Sequence, residues 1–170
     1  MTSTLDIGYL DLTLRLVIAL LAGSIIGFER TRAKKPAGIR THALVCIASA
    51  TITIISAYGV SEFADTRTMD PLRLAANIVT GIGFLGAGVI WKASQGQIRG
   101  LTTATNLWAV AGIGIAAGLG HFYLVFLTVV LLKLALKIAT ILEFFGLMVY
   151  DDSPKAKKYA DELDDDGNSD

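Results

Sequence analysis

The chain has 170 residues, 53% of them hydrophobic, with 15 Lys and Arg balanced by 15 Asp and Glu. The zero net charge hides a split: residues 1–150 carry an excess of basic side chains, and residues 151–170 are strongly acidic. Long charge-free apolar runs at this composition exclude an ordinary soluble domain, and no basic patch interleaved with aromatics suggests nucleic-acid binding.

A bilayer core of about 30 Å takes ~20 mostly apolar residues per helix, and five stretches of that length follow one another here. The first helix is expected at 9–28. It contains Asp11 and Arg15, four residues apart and able to pair, and the GxxxG pair Gly23 and Gly27. Its acidic start and its exit into Glu29-Arg30 argue against a cleaved signal peptide. The next loop holds Arg30, Arg32, Lys34, Lys35 and Arg40, which places it in the cytoplasm by the positive-inside rule. The second helix, 41–60, is free of charge and holds Cys46, the single cysteine, read as a small packing residue.

Asp70-Pro71 reads as an N-cap followed by proline at the first helical position, opening a third helix at 72–91. Arg73, Asn77 and Thr80 form a candidate outer polar cluster on it. Gly81, Gly83, Gly86 and Gly88 leave it small on more than one face, which suits a central helix touched by several neighbours and equally suits a homo-oligomer. The other reading of these glycines is a thinly lined, broken helix that exposes carbonyls to an ion. A loop with Lys92 and Arg99 leads to a fourth helix at 101–119, carrying the pair Gly114 and Gly118. A tight turn at Gly120-His121 then starts a fifth at 122–145. Lys133 and Lys137 share one face of it, either snorkelling to headgroups or pairing with an acidic group or an anionic lipid. Residues 151–170 read as a disordered acidic cytoplasmic tail. The expected fold is thus an all-α integral membrane protein of five transmembrane helices, N-terminus outside and C-terminus cytoplasmic.

With that orientation four unusual stretches meet at the cytoplasmic face. They are Gly27-Phe28-Glu29-Arg30, Gly38-Ile39-Arg40-Thr41-His42, the glycine-rich run from Gly81 to Gly88, and Gly100-Leu101-Thr102-Thr103-Ala104-Thr105-Asn106. Glu29 at the edge of the hydrocarbon needs a cation, and Arg30, Arg40, His42 and Arg99 are at the right depth. Thr102, Thr103 and Asn106 sit on the first turns of the fourth helix, where Thr102 or Thr103 could cap it; Thr102 and Asn106, four apart, share a face. Glu29, Arg30, Arg40, Thr41, His42, Arg99, Thr102, Thr103 and Asn106 together are read either as interhelical glue or as the lining of a small polar cavity. No ligand spacing for a metal, no nucleophile–base pair and no nucleotide-binding loop occurs, so neither cofactor nor enzymatic activity is expected. Gly27, Ile39 and Arg40 recur fifty-nine residues later as Gly86, Ile98 and Arg99, a faint echo of a duplicated helix pair.

In order and spacing, these four stretches, with Trp108 and the glycine-rich end of the fourth helix, resemble the MgtC/SapB family of bacterial inner-membrane proteins over roughly residues 10–120. The resemblance implies a multi-pass protein of the bacterial plasma membrane, with links to magnesium limitation, stress adaptation and, in some members, virulence. It also implies a non-enzymatic regulator whose partners are membrane proteins such as the F-type ATP synthase or a transporter. The alternative expectation is a small oligomeric ion or solute transporter. The best-known members carry a soluble C-terminal domain, where this sequence shows a short acidic stretch, so a ligand-sensing role through such a domain is not expected.

Overall fold

The computed structural model describes residues 8–59, 70, 73–93 and 97–144. Five helices form: α1 (Tyr9–Arg32), α2 (Ile39–Tyr58), α3 (Arg73–Gly88), α4 (Leu101–Gly118) and α5 (Phe122–Phe144). Between α3 and α4 the two-residue strands β1 (Trp91–Lys92) and β2 (Ile98–Arg99) pair antiparallel, with Trp91 opposite Arg99. The chain divides into two units, Met1–Lys133 and Leu134–Asp170. The bundle belongs to the first. The described part of the second is the end of α5, where Leu134 and Ile138 are exposed. Pro71 and the acidic stretch 151–170 lie outside the described residues.

The helices follow from where small and large side chains fall. On α1 the buried positions are Arg15, Ala19, Ala22, Gly23, Ile26, Gly27 and Arg30, a stripe at three- and four-residue spacing. The opposite face carries Leu10, Leu14, Val17, Leu21, Ile25 and Phe28, all exposed. Apart from Ile26 and the two arginines, small residues therefore point inward and large apolar ones outward, the reverse of a water-soluble helix. In lipid this is the favourable arrangement, because helices there associate by close backbone approach rather than by burying oil from water. Among the described residues three helices are long and apolar enough to cross a bilayer: α1, α2 and α4. α3, with 16 residues, rises only about 24 Å at 1.5 Å per residue.

α2 and α4 occupy the middle of the bundle. α1 packs on both, and α3 lies against α4 and α2. The core joins Ala19, Ala22 and Ile26 of α1 to Cys46 and Ala50 of α2, to Val110, Ile113 and Ala117 of α4, and to Val125 of α5. Close approach is built on four glycines. A methyl group at Gly23 would lie 2.6 Å from the His42 carbonyl oxygen, at Gly27 2.6 Å from Ile39 Cα, and at Gly118 2.7 Å from the Ala50 carbonyl oxygen. Gly114 is pressed against the Cys46 carbonyl and Ser49 in the same way.

Two expectations are corrected here. The third helix is not central, and its glycines are not a packing surface within the described chain. No described residue lies within 4 Å of a Cβ placed at Gly81, Gly83 or Gly88, and Gly86 alone reaches a neighbour, 3.6 Å from Ala104 Cβ. The reason is geometric: α3 has one buried side, Ala75, Ile78, Ile82 and Gly86, and its other sides face outward. Nor are the echoed segments structural copies, since Ile39 and Arg40 open α2 whereas Ile98 and Arg99 form β2.

The connections are tightly specified. The Ile39 N–H at the start of α2 donates to Thr31 Oγ1 of α1 at 2.9 Å. Lys34 and Ala37 in the intervening loop adopt left-handed φ values of 52° and 56°. Ser56 Oγ accepts from the Leu74 N–H at 3.2 Å, tying the start of α3 to the end of α2. Gly100, at φ 94°, precedes α4 with no side-chain cap, so Thr102 and Thr103 do not cap it. A side chain on Gly100 would collide with the Val89 carbonyl at the exit of α3.

Candidate functional site

The ends of α1, the start of α2 and the start of α4 meet at the basic end of the bundle. Four of the expected residues come together there and are buried: Arg30, His42, Thr103 and Asn106. α1 delivers Arg30 as the last member of its buried stripe. Its Nη2 donates to Thr103 Oγ1 at 2.7 Å. His42 is fully enclosed because Gly23 and Gly27 let α1 close over it. Its Nδ1 lies 2.9 Å from the Gly38 carbonyl oxygen, and its Nε2 lies 3.0 Å from Asn106 Nδ2.

These distances assign the hydrogens. A carbonyl only accepts, so Nδ1 carries the proton. Nε2 of the neutral ring then accepts from the Asn106 amide. Among the described residues two buried atoms are left over: Asn106 Oδ1 has no donor and Arg30 Nε has no acceptor. Each such atom ordinarily costs about 1–3 kcal/mol, so the cluster leaves one donor and one acceptor unanswered.

The remaining expected members are elsewhere. Glu29 takes none of the four suggested cations; it pairs with Lys133 of α5, Nζ to Oε1 3.3 Å, at a partly exposed position. Arg40, Thr41, Arg99 and Thr102 are exposed. Asn106 therefore shares its buried side with Thr103 and not with Thr102, because helical rotation carries position 102 outward. Arg73, Asn77 and Thr80 lie exposed along α3, and no hydrogen bond joins them among the described residues. Asn77 instead lines an open apolar groove of about 360 Å³ between α2 and α3, with Val45, Ser49, Ile52, Ile78 and Leu85. Among the described residues no group of three His, Cys, Asp or Glu is placed to hold a metal ion.

A second polar constellation at the opposite end was only half legible. Arg15 does pair with Asp11, Nε to Oδ2 2.8 Å. Its Nη1 also donates to the Gly118 carbonyl at 2.7 Å and to Tyr58 Oη at 2.9 Å, and the guanidinium lies 5.2 Å from the centre of the Tyr58 ring. One side chain thus joins α1, the end of α2 and the C-terminus of α4, whose carbonyls carry partial negative charge. The available signal was an arginine inside an apolar run, which must find partners.

A protein-family model described as the MgtC family matches residues 16–145. An uncharacterized protein of Haemophilus influenzae (strain Rd) is 37% identical over 147 residues, 84% of this chain and 61% of that protein. Protein SapB of Bacillus subtilis (strain 168) is 43% identical over 66% of this chain and 49% of its own length. Protein MgtC of Salmonella typhimurium (strain LT2) is 46% identical over 64% of this chain and 44% of its own length. The chain thus spans about half the length of the curated relatives it matches. No solved structure matches it.

Proposed function

The chain belongs to the MgtC family, and from that membership we propose that it is a non-enzymatic regulator that binds another protein of the bacterial inner membrane under magnesium limitation or related stress. In this reading all five helices cross the bilayer, and the loop bearing Arg32, Lys34 and Lys35 is cytoplasmic. The observation that carries the regulator over the transporter is the middle of the bundle. Between the Arg30 cluster and the Arg15 cluster lie Ala19, Ala22, Ile26, Cys46, Val110 and Ile113, all buried and apolar. A solute would have to shed its hydration against a layer that offers only the buried hydroxyls of Ser49 and Thr53, the latter already donated to the Ser49 carbonyl, and no charged group. Large exposed apolar faces on α1 and α5 offer lateral surface to a partner helix.

Crosslinking in native membranes followed by capture of the tagged chain tests this. A discrete membrane protein, recovered reproducibly and lost when the chain is absent, is the expected result. The reading fails if capture returns only this chain and lipid while the purified protein in proteoliposomes carries a magnesium flux that Glu29→Gln abolishes.

A further inference from the structure

Among the described residues no acidic side chain answers the charge of Arg30. Its sequence neighbour Glu29 is paired with Lys133. The one hydrogen bond made by the guanidinium among the described residues goes to a neutral hydroxyl, Thr103 Oγ1. Yet Arg30 is only 7% exposed, and its Nε is buried without an acceptor. A buried cation without a counter-charge is costly, so such groups are normally paired.

The surroundings specify the missing partner. Thr103 lies in the first turn of α4, an 18-residue helix with no side-chain cap. The Ala104 N–H goes to the Gly100 carbonyl at 2.9 Å. The N–H groups before it are the ones a helix leaves unpaired, and they form an anion-attracting end. One turn further on the same buried side, Asn106 Oδ1 is an acceptor without a donor. An ordinary carboxylate would satisfy Arg30 and repel Asn106 Oδ1. An oxyanion that keeps one proton satisfies both: its bare oxygens accept from Arg30 Nε and the helix end, and its O–H donates to Asn106.

We propose that Arg30, Thr103, Asn106 and the N-terminus of α4 bind a phosphate group in its protonated form, as inorganic phosphate or as the phosphomonoester headgroup of phosphatidic acid. Water could bridge the same two atoms but would leave the charge of Arg30 unanswered. Arg40 and Thr41, next to the cluster's His42 in the first turn of α2, are exposed, and Arg32, Lys34 and Lys35 at the same end raise the local concentration of anions. The site is an equilibrium property of the purified chain and stands whether or not the regulator reading does.

The test is thermal unfolding of the full chain in an uncharged, phosphate-free detergent. One arm titrates inorganic phosphate against chloride at matched ionic strength. The other compares phosphatidic acid with phosphatidylglycerol, an anionic diester without a P–OH. A saturable rise in Tm with phosphate, with phosphatidic acid or with both, beyond the chloride and phosphatidylglycerol controls, is expected, and the arm that responds identifies the source. Arg30→Gln should weaken binding by at least about tenfold, the worth of one charge-assisted hydrogen bond. Thr103→Asp sets a carboxylate against Arg30 and should raise Tm without ligand while removing the response. Lys34→Gln with Lys35→Gln should leave it. Equal effects of phosphate and chloride together with equal effects of the two lipids overturn the proposal. So does loss of the response in the Lys34/Lys35 variant but not in Arg30→Gln. The wild-type comparison decides alone if a variant does not fold.

Discussion

His42 and Asn106 show how much a single buried side chain depends on one partner. The ring is fully enclosed, with the Gly38 carbonyl on one nitrogen and the Asn106 amide on the other. Asn106→Ala removes the only donor to Nε2 among the described residues and leaves a cavity where the buried amide packed, and deletion of the unpaired Oδ1 offsets part of that cost. A loss of about 1–3 kcal/mol is expected, read as a lowered unfolding midpoint of the purified protein. A variant as stable as wild type would mean that the ring is satisfied otherwise. The sequence placed both residues at one end of the bundle, because each lies on the first turns of its helix. It did not pair them, since the spacing of 64 positions carries no local signal. The same limit explains Glu29. Its candidates were chosen by depth along neighbouring segments, whereas the cation that reaches it, Lys133, sits about a hundred positions away on α5. One of the two sequence readings of Lys133 did include an acidic partner.

Among elements, α3 and α4 contrast most. Both are rich in glycine, and periodicity alone treats their glycines alike. On α4, Gly114 is wedged against the α2 backbone at Cys46 and the side chain of Ser49; on α3, Gly81 faces open space. Gly114→Leu should therefore push α4 from α2 and cost at least about 1–3 kcal/mol through overpacking. Gly81→Leu should leave stability in detergent nearly unchanged. Thermal unfolding of the two variants side by side checks this, and an equal loss in both would return α3 to the centre of the bundle. The GxxxG pairs on α1 and α4 were legible because four-residue spacing puts both glycines on one helical side. Which glycine-bearing helix has a neighbour on that side depends on the arrangement of all the helices. The β1–β2 pair had no sequence signal beyond a short polar loop, since two residues are too few for alternation to show.

For the whole molecule the outstanding quantity is orientation. The basic loop between α1 and α2 predicts a cytoplasmic location. Cys46, the only cysteine, is buried, so a cysteine introduced by Lys35→Cys would report alone. A membrane-impermeant maleimide should label it only after intact cells are permeabilised; labelling before that would invert the topology. By itself the sequence determined five helices, their order, their membrane character and the family, because apolar length, charge-free runs and short motifs are local properties of the chain. It also brought Arg30, His42, Thr103 and Asn106 to one end. Only the tertiary structure decided that these four are buried together while Arg40, Thr41, Arg99 and Thr102 face outward, that Arg15 locks three helices, and that α2 and α4 rather than α3 hold the centre. Those outcomes rest on which helix sides approach closely. In a bundle assembled on small residues, many sides are compatible with contact, and only the simultaneous packing of all of them selects the ones that are used.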